Sequence, residues 1–279
     1  TWQKRLPSFS VFHIIINKKI MSTHQTEAFV VHLFDYGETS KIIQILTAHH
    51  GKLSCIVKGL KRKNNPWIFT LDRLNRIDVQ YTWKPTREVQ IITDVVLLDG
   101  YPEIKNDIHK QILASIVLET AFNFVEIEQN AVTTYHQVYT AFEHIKLDTD
   151  NPVTLTFLTC WHLWQILVHS GLEPQLDCCI RCGKSLPSSP YFSWQGGTVC
   201  PNCHPDYRLQ KSDLELLQQL KQIENPLTTT LDFDKDSYFN RILSILCKYI
   251  SFHSGHALKS YNVLREIINS NLKGTKNES

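Results

Sequence analysis

The chain has 279 residues, 42% of them hydrophobic, which is enough for one large domain or two to three smaller ones with a proper core. No apolar run approaches the roughly 18 to 20 residues of a membrane helix, which excludes a membrane-spanning helix. The net charge of +2 hides an asymmetry: residues 41–87 carry ten Lys/Arg against two Asp/Glu, and residues 88–150 carry three against eleven. A basic module followed by an acidic one points towards nucleic acid.

Residues 1–20 contain a short apolar patch, Val11 to Ile16, after Lys4 and Arg5. It is short for a secretion signal and has no small-residue cleavage site behind it. Met21 is the chain's only methionine, so translation is expected to start there, with residues 1–26 as a disordered extension. Residues 27–101 read as strands. Glu27 to Phe34 is apolar and rich in β-formers, Asp35-Tyr36-Gly37-Glu38 is a turn, and Ser40 to Thr47 and Lys52 to Val57 follow. Ile77, Val79 and Tyr81 alternate with Asp78, Gln80 and Thr82, the period of a half-buried strand. Lys84-Pro85-Thr86 then turns the chain into Glu88 to Leu98. Five strands in so short a span predict a small barrel or sandwich, and a five-stranded OB-type barrel is its nucleic-acid-binding form.

Between the third and fourth strands lies a polar loop with Lys58, Lys61, Arg62 and Lys63, followed by Trp67 and Phe69. Cations attract phosphates, and exposed aromatics stack unpaired bases. Arg73, Arg76 and Arg87 can extend the same track. The bland alternative is a solvated loop whose Trp67 closes the barrel end, and Tyr81 and Trp83 read as packing residues.

Pro102 ends the strand region. Ile104, Ile108, Ile112, Ile116 and Ala121 recur at helical spacing from Glu103 to about Val125. Glu126 and Glu128 read as a solvated helix end. A second helix runs from Val132 to Ile145. Asn151-Pro152 starts a third, Val153 to Ser170, so apolar and aromatic that it is expected at the centre of a helical domain. His162 and His169 on it have no matched ligands and are assigned no role. Helices over 209–223, 237–252 and 257–272 complete the chain, and the residues after Gly274 read as disordered.

Cys179-Ile180-Arg181-Cys182 and Cys200-Pro201-Asn202-Cys203 form two CxxC knuckles seventeen residues apart. A two-residue gap lets a tight turn aim both sulfurs at one point, and two such knuckles make a tetrahedral shell. Gly183 and Pro201 suit the turns. The pattern predicts one structural Zn2+ held by Cys179, Cys182, Cys200 and Cys203, with no coordination position left for substrate. Disulfides would need an oxidising compartment, and a redox role fits a single CxxC better than a pair. Cys178 and His204 adjoin the knuckles as alternative ligands. Tyr191 to Val199 reads as a hairpin between them. Cys55, Cys160 and Cys247 are expected as small buried hydrophobes, and the cysteine usage fits a reducing, cytoplasmic interior.

There is no P-loop, dinucleotide glycine fingerprint or nucleophile elbow, so a binding protein is expected rather than an enzyme with a small-molecule substrate. Two rivals are a zinc-ribbon scaffold for protein partners alone and an enzyme that uses zinc catalytically.

Several segments together resemble the bacterial RecO family of DNA repair proteins: Ala28-Phe29-Val30-Val31 through Gly37-Glu38-Thr39-Ser40, Gly51-Lys52 to Val57-Lys58-Gly59, Leu176 with Cys179, Cys182 and Gly183, and Leu258-Lys259-Ser260. The cysteines match the zinc-binding branch. Where the family usually has Leu-Gln-Pro-Phe, this chain has Leu71-Asp72-Arg73-Leu74. The resemblance implies an α+β multidomain fold: an N-terminal five-stranded OB-type β-barrel (27–101), then an all-α domain (102–172 and 209–273) with an inserted four-cysteine zinc ribbon (173–208), and a tail from 274. It implies a cytoplasmic, nucleoid-associated recombination mediator. Such a protein binds single- and double-stranded DNA, anneals complementary strands, contacts single-strand-binding protein and helps load RecA with RecR.

Overall fold

The computed structural model describes residues 22–125, 130–147, 151–187, 190–229 and 236–274. The expected start at Met21, the helix end at Glu126 and Glu128, and the tail after Gly274 lie outside these residues.

Alternation builds a barrel. Its strands are β1 (Ser22–Tyr36), β2 (Ser40–Thr47), β3 (Gly51–Val57), β4 (Arg76–Trp83) and β5 (Val89–Asp99), closed in the order β1-β2-β3-β5-β4. β4 returns to β1 antiparallel, and the β3–β5 seam is a short parallel pairing at Ser54↔Val89 to Ile56↔Ile91. The inner positions of β2, β3 and β4 supply Ile43 and Ile45, Leu53 and Cys55, and Ile77, Val79 and Tyr81. A bulge between Val30 and His32 switches the parity of β1. Before it Ala28 and Val30 point inward. After it Leu33 packs inward, while Phe34 and Tyr36 are exposed.

β1 starts five residues before the expected Glu27, which corrects the reading of residues 22–26 as extension. Those residues are polar, so hydrophobicity alone gives no strand there. Their backbone nonetheless pairs with β4 from Ser22↔Trp83 onward, and the His24 ring stacks on Tyr81 at 5.6 Å. Thr26 is buried on the same stretch.

The opposite face of β1 joins the barrel to the helices. Phe29, Val31 and Leu46 belong to the helical core, and Phe29 meets Phe142 at 4.9 Å and Tyr135 at 5.3 Å. The expected helix over 103–125 is two: α1 (Pro102–Lys105) and α2 (Ile108–Phe124). Pro102 opens α1 rather than merely ending the strands. The Asp107 side chain accepts from the N–H groups of His109 and Lys110 and so caps α2. Periodicity missed the break because Ile104 and Ile108 keep the same four-residue spacing across it.

α3 (Ala131–Ile145), α4 (Pro152–His169), α5 (Lys211–Gln222), α6 (Asp236–Ser254) and α7 (Lys259–Gly274) complete the helices. α4 is buried along most of its length, with Leu155, Phe157, Leu158, Leu163, Trp164 and Leu167 in the core. It packs against α2, α3, α5 and α6, as its composition predicts. His162 lies fully inside this core. The Gln137 amide donates to its Nδ1 at 3.0 Å, so its own Nε2–H donates to His144 Nδ1, also at 3.0 Å.

α7 is anchored from a distance. The Glu119 carboxylate on α2 accepts the backbone N–H of Lys259 at 2.8 Å, that of Ser260 at 3.0 Å, and the Ser260 hydroxyl. A carboxylate at a helix N-terminus satisfies orphan donors and complements the dipole. Leu258 is buried just before the cap, which gives Leu258-Lys259-Ser260 a structural reason. Among the described residues, no helix is long and apolar enough to cross a membrane.

Candidate nucleic-acid interface and metal centre

The loop after β3 is built rather than slack. Lys61 N–H donates to the Thr39 carbonyl at 2.9 Å, and Arg62 N–H to the Gly59 carbonyl at 3.0 Å. The Asn65 side chain donates to Gly59 O at 3.2 Å and accepts from Trp67 N–H at 2.8 Å. Leu60 and Leu71 are sunk into the barrel core. This frame leaves Lys58, Lys61, Arg62 and Lys63 on the surface. They are not equally free. Lys61 pairs with Asp35 at 3.1 Å, and Lys41 meets the same carboxylate at 3.5 Å. The Lys61 hydrogen bond is the largest cause holding the Asp35 carboxyl below its ordinary pKa.

The two stacking candidates separate. Phe69 stands 86% exposed, whereas Trp67 is half-buried against the barrel core, as in the bland reading of that residue.

The three outlying arginines do not form one track. Arg76 is engaged at the barrel–helix junction, 3.0 Å from Glu27 and stacked over the Tyr139 ring at 4.9 Å. Glu27 also accepts the Tyr135 hydroxyl at 2.8 Å. Arg76 is therefore a clamp between layers, not a free phosphate ligand. Arg73 lines a separate cleft with His32, Ile108, Lys259 and Val263. Burial, and then the Arg73 charge, hold the His32 imidazole below its ordinary pKa. Arg87, in the turn before β5, lines a cavity with Tyr36, Ile42, Ile56, Val89 and Ile91. Sequence reasoning missed Tyr36, which reads as a turn residue but ends a strand; the aromatic beside a Gly-Glu turn was its one signal.

The ribbon carries the other candidate site. β6 (Tyr191–Ser193) pairs with β7 (Gly197–Val199) and with β8 (Tyr207–Arg208). The first knuckle is laced to β7: Ile180 N–H donates to Thr198 O, Thr198 N–H to Gln175 O, and Gln175 N–H to Gly196 O, at 2.8–3.0 Å. Gly183 takes the left-handed conformation at φ 69° and donates to Cys179 O at 2.8 Å, closing the turn. In the second knuckle Cys203 N–H donates to Cys200 O at 3.1 Å. Phe192 packs on Tyr249 at 5.8 Å, and Lys248 lies over the Trp194 and Tyr207 rings, so the ribbon is seated on α6.

These turns converge the four expected sulfurs. Cys179, Cys182, Cys200 and Cys203 have sulfurs within 4.8 Å of one another, with Cys182 to Cys200 at 3.8 Å. Zn–S bonds of about 2.3 Å in a tetrahedron require sulfurs about 3.8 Å apart, so the donor set fits a thiolate-bound metal ion. Cys178 is outside the cluster, its carbonyl accepting from Thr198 Oγ1 at 3.0 Å, and His204 is outside it too. Backbone N–H groups, Cys200's first, bring the Cys179 thiol down to about 6. Its neighbours, the Cys200 side chain first, push Cys203 up to about 12. Four thiolates crowded together repel, and a bound cation relieves that repulsion. Cys55, Cys160 and Cys247 are buried, as expected of structural thiols.

Comparison with known proteins agrees with this architecture. The family model "Recombination protein O N terminal" matches residues 21–101, and "Recombination protein O C terminal" matches residues 105–262. The DNA repair protein RecO of Cutibacterium acnes (strain DSM 16379 / KPA171202) is 23% identical over 250 residues, covering 88% of this chain and 99% of that protein. The closed five-stranded barrel, the helical region and the two family matches together make this chain a member of the RecO family, with a role in DNA repair and recombination.

Proposed function

We propose that the chain is a recombination mediator. It binds single- and double-stranded DNA, anneals complementary strands, and helps RecR load RecA onto strands coated by single-strand-binding protein. The observation that carries this reading is the framed basic loop at one end of an OB-type barrel, with Lys58, Arg62 and Lys63 exposed and without an acidic partner among the described residues. Two like-charged strands approach more easily over a surface that screens both. The chain acts by binding and positioning, without bond chemistry of its own.

We also assign the metal as a structural Zn2+ at Cys179, Cys182, Cys200 and Cys203. Bound there, it would fill its shell with sulfur and hold the two knuckles rigid. A closed thiolate shell favours this over a catalytic zinc.

Salt-dependent DNA binding tests the mediator reading. Each phosphate contact on a single strand contributes about 0.7 to the slope of log K against log salt. Lys58→Glu with Arg62→Glu is expected to lower that slope by roughly 1.4 and to weaken binding to every sequence alike. An unchanged slope and affinity would remove the loop from the interface.

A further inference from the structure

An acid stands among the loop cations. Asp35 lies near the end of β1, opposite Lys41 of β2, which is itself opposite Val57, the last residue of β3 before Lys58. The Asp35 carboxylate accepts Lys61 Nζ on Oδ2 at 3.1 Å, and its Oδ1 lies 3.5 Å from Lys41 Nζ. The backbone arranges this meeting, because the Lys61 N–H is tied to the Thr39 carbonyl in the turn after β1. All three side chains are open to solvent, Asp35 at 64%, Lys41 at 33% and Lys61 at 31%. Exposed ion pairs add little to stability, so this pairing matters for what the lysines can bind rather than for the fold. Lys58, Arg62 and Lys63 have no such partner among the described residues.

We infer that Asp35 is a built-in competitor for DNA phosphate: it occupies Lys61 and Lys41 in the free protein, yields them when a strand binds, and reclaims them as the strand leaves. A carboxylate and a phosphate oxygen accept from the same ammonium donors. The carboxylate is tethered beside those donors, so it competes at the high effective concentration of an intramolecular partner. It also repels a phosphate seated on either lysine. Two cations and one anion therefore present a net charge of +1 to the strand. Annealing needs strands that are held and also let go, since strands find their register by movement over the surface. Asp35 keeps the hold loose at Lys61 and Lys41, while the unpartnered cations capture. The inference rests on the proposed DNA-binding reading and adds how the site releases its ligand.

The test uses the full-length protein with fluorescein-labelled oligo(dT), in binding isotherms across a salt series and in a chase with excess unlabelled strand. Asp35→Asn restores one unit of positive charge at the interface, so the slope of log K against log salt should steepen by about 0.7. Affinity should rise about fivefold at 0.1 M salt and by under about twofold at 0.5 M. The labelled strand should leave about fivefold more slowly at 0.1 M. Two variants separate the ion pair from bulk charge. Glu215→Gln makes the same change in net charge on α5, where it frees Lys211 from a similar exposed pair, and should leave slope and release rate unchanged. In a Lys61→Met background, Asp35→Asn should lose at least about half of its effect. The inference is overturned if Asp35→Asn leaves slope and release rate as in wild type, if Glu215→Gln matches it, or if the gain is the same without Lys61. If neither wild type nor Asp35→Asn binds oligo(dT) at low salt, the DNA-binding reading itself fails.

Discussion

Glu119 gives a sharp test of how the helical region is held together. Its side chain sits in the core, only 9% exposed, and its carboxylate takes two backbone N–H groups and one hydroxyl from the first turn of α7, 140 residues along the chain. Glu119→Ala leaves those donors without their acceptor. Lys259 is exposed and its N–H is rehydrated at little cost, whereas Ser260 is buried. Removing one partner of a charge-assisted hydrogen bond costs about 1.5–3 kcal/mol, and losing a helix cap costs about 1 kcal/mol. Part of this is recovered because the carboxylate's own burial no longer has to be offset. The expected destabilisation of α7 is therefore about 2–4 kcal/mol. Amide hydrogen exchange along α7 is the appropriate assay, because barrel and helices need not unfold together and a single global midpoint would blur them. Exchange in α7 should accelerate roughly thirtyfold or more while β1–β5 keep their protection. Glu119→Gln should fall between the two. A change under about 0.5 kcal/mol, the size of an ordinary surface substitution, would show that α7 is held by packing alone.

Three further outcomes follow from the structure. Cys182→Ser should lower bound zinc, measured by chelator colorimetry, and loosen the ribbon while the barrel stays folded; a full zinc complement would mean that the ligands are others. A Cβ on Gly197, at φ 131°, would lie 2.1 Å from the Gln175 carbonyl oxygen, so Gly197→Ala should break the lacing between knuckle and hairpin at a cost of about 3 kcal/mol or more, visible as loss of zinc affinity and of amide protection at Thr198. Burial, and then the His144 ring, hold the His162 imidazole down at about 3, against an unfolded value of 6.5. Below pH 6.5 the unfolded chain therefore takes up a proton that the native one refuses, and stability falls with decreasing pH by up to ~1.4 kcal/mol per unit until the native value is reached. His162→Gln should flatten the melting temperature between pH 6.5 and 4, and an unchanged slope would exclude this histidine as the cause.

Local chemistry was legible in the sequence, and long-range pairing was not. The two CxxC knuckles declared their convergence because the spacing itself constrains the turns. The inner layer of β4 was visible in the alternation of Ile77, Val79 and Tyr81, and the start of α4 in Asn151-Pro152. The start of β1 was hidden because Ser22 to Thr26 carry no apolar pattern and are held by pairing with β4, more than fifty residues away. The break before α2 was hidden because the apolar phase continues across it, although Asp107 is a recognisable cap. The arginines show the same limit. Arg73, Arg76 and Arg87 look alike in a charge count, yet one lines a cleft towards α7, one is clamped by Glu27, and one lines a cavity with side chains of β2, β3 and β5. Charge is written in the sequence, but availability depends on which partners the fold brings near.

Strand annealing tests the central claim most directly. Two complementary fluorescent oligonucleotides are mixed with the protein, bare or precoated with single-strand-binding protein, across a salt series. Annealing that is fast, persists on coated strands, and weakens with salt and with Lys58→Glu/Arg62→Glu is what a mediator acting through its basic loop requires. A folded, zinc-loaded protein that neither binds nor anneals the strands at low salt would contradict it and leave a ribbon-bearing scaffold for protein partners.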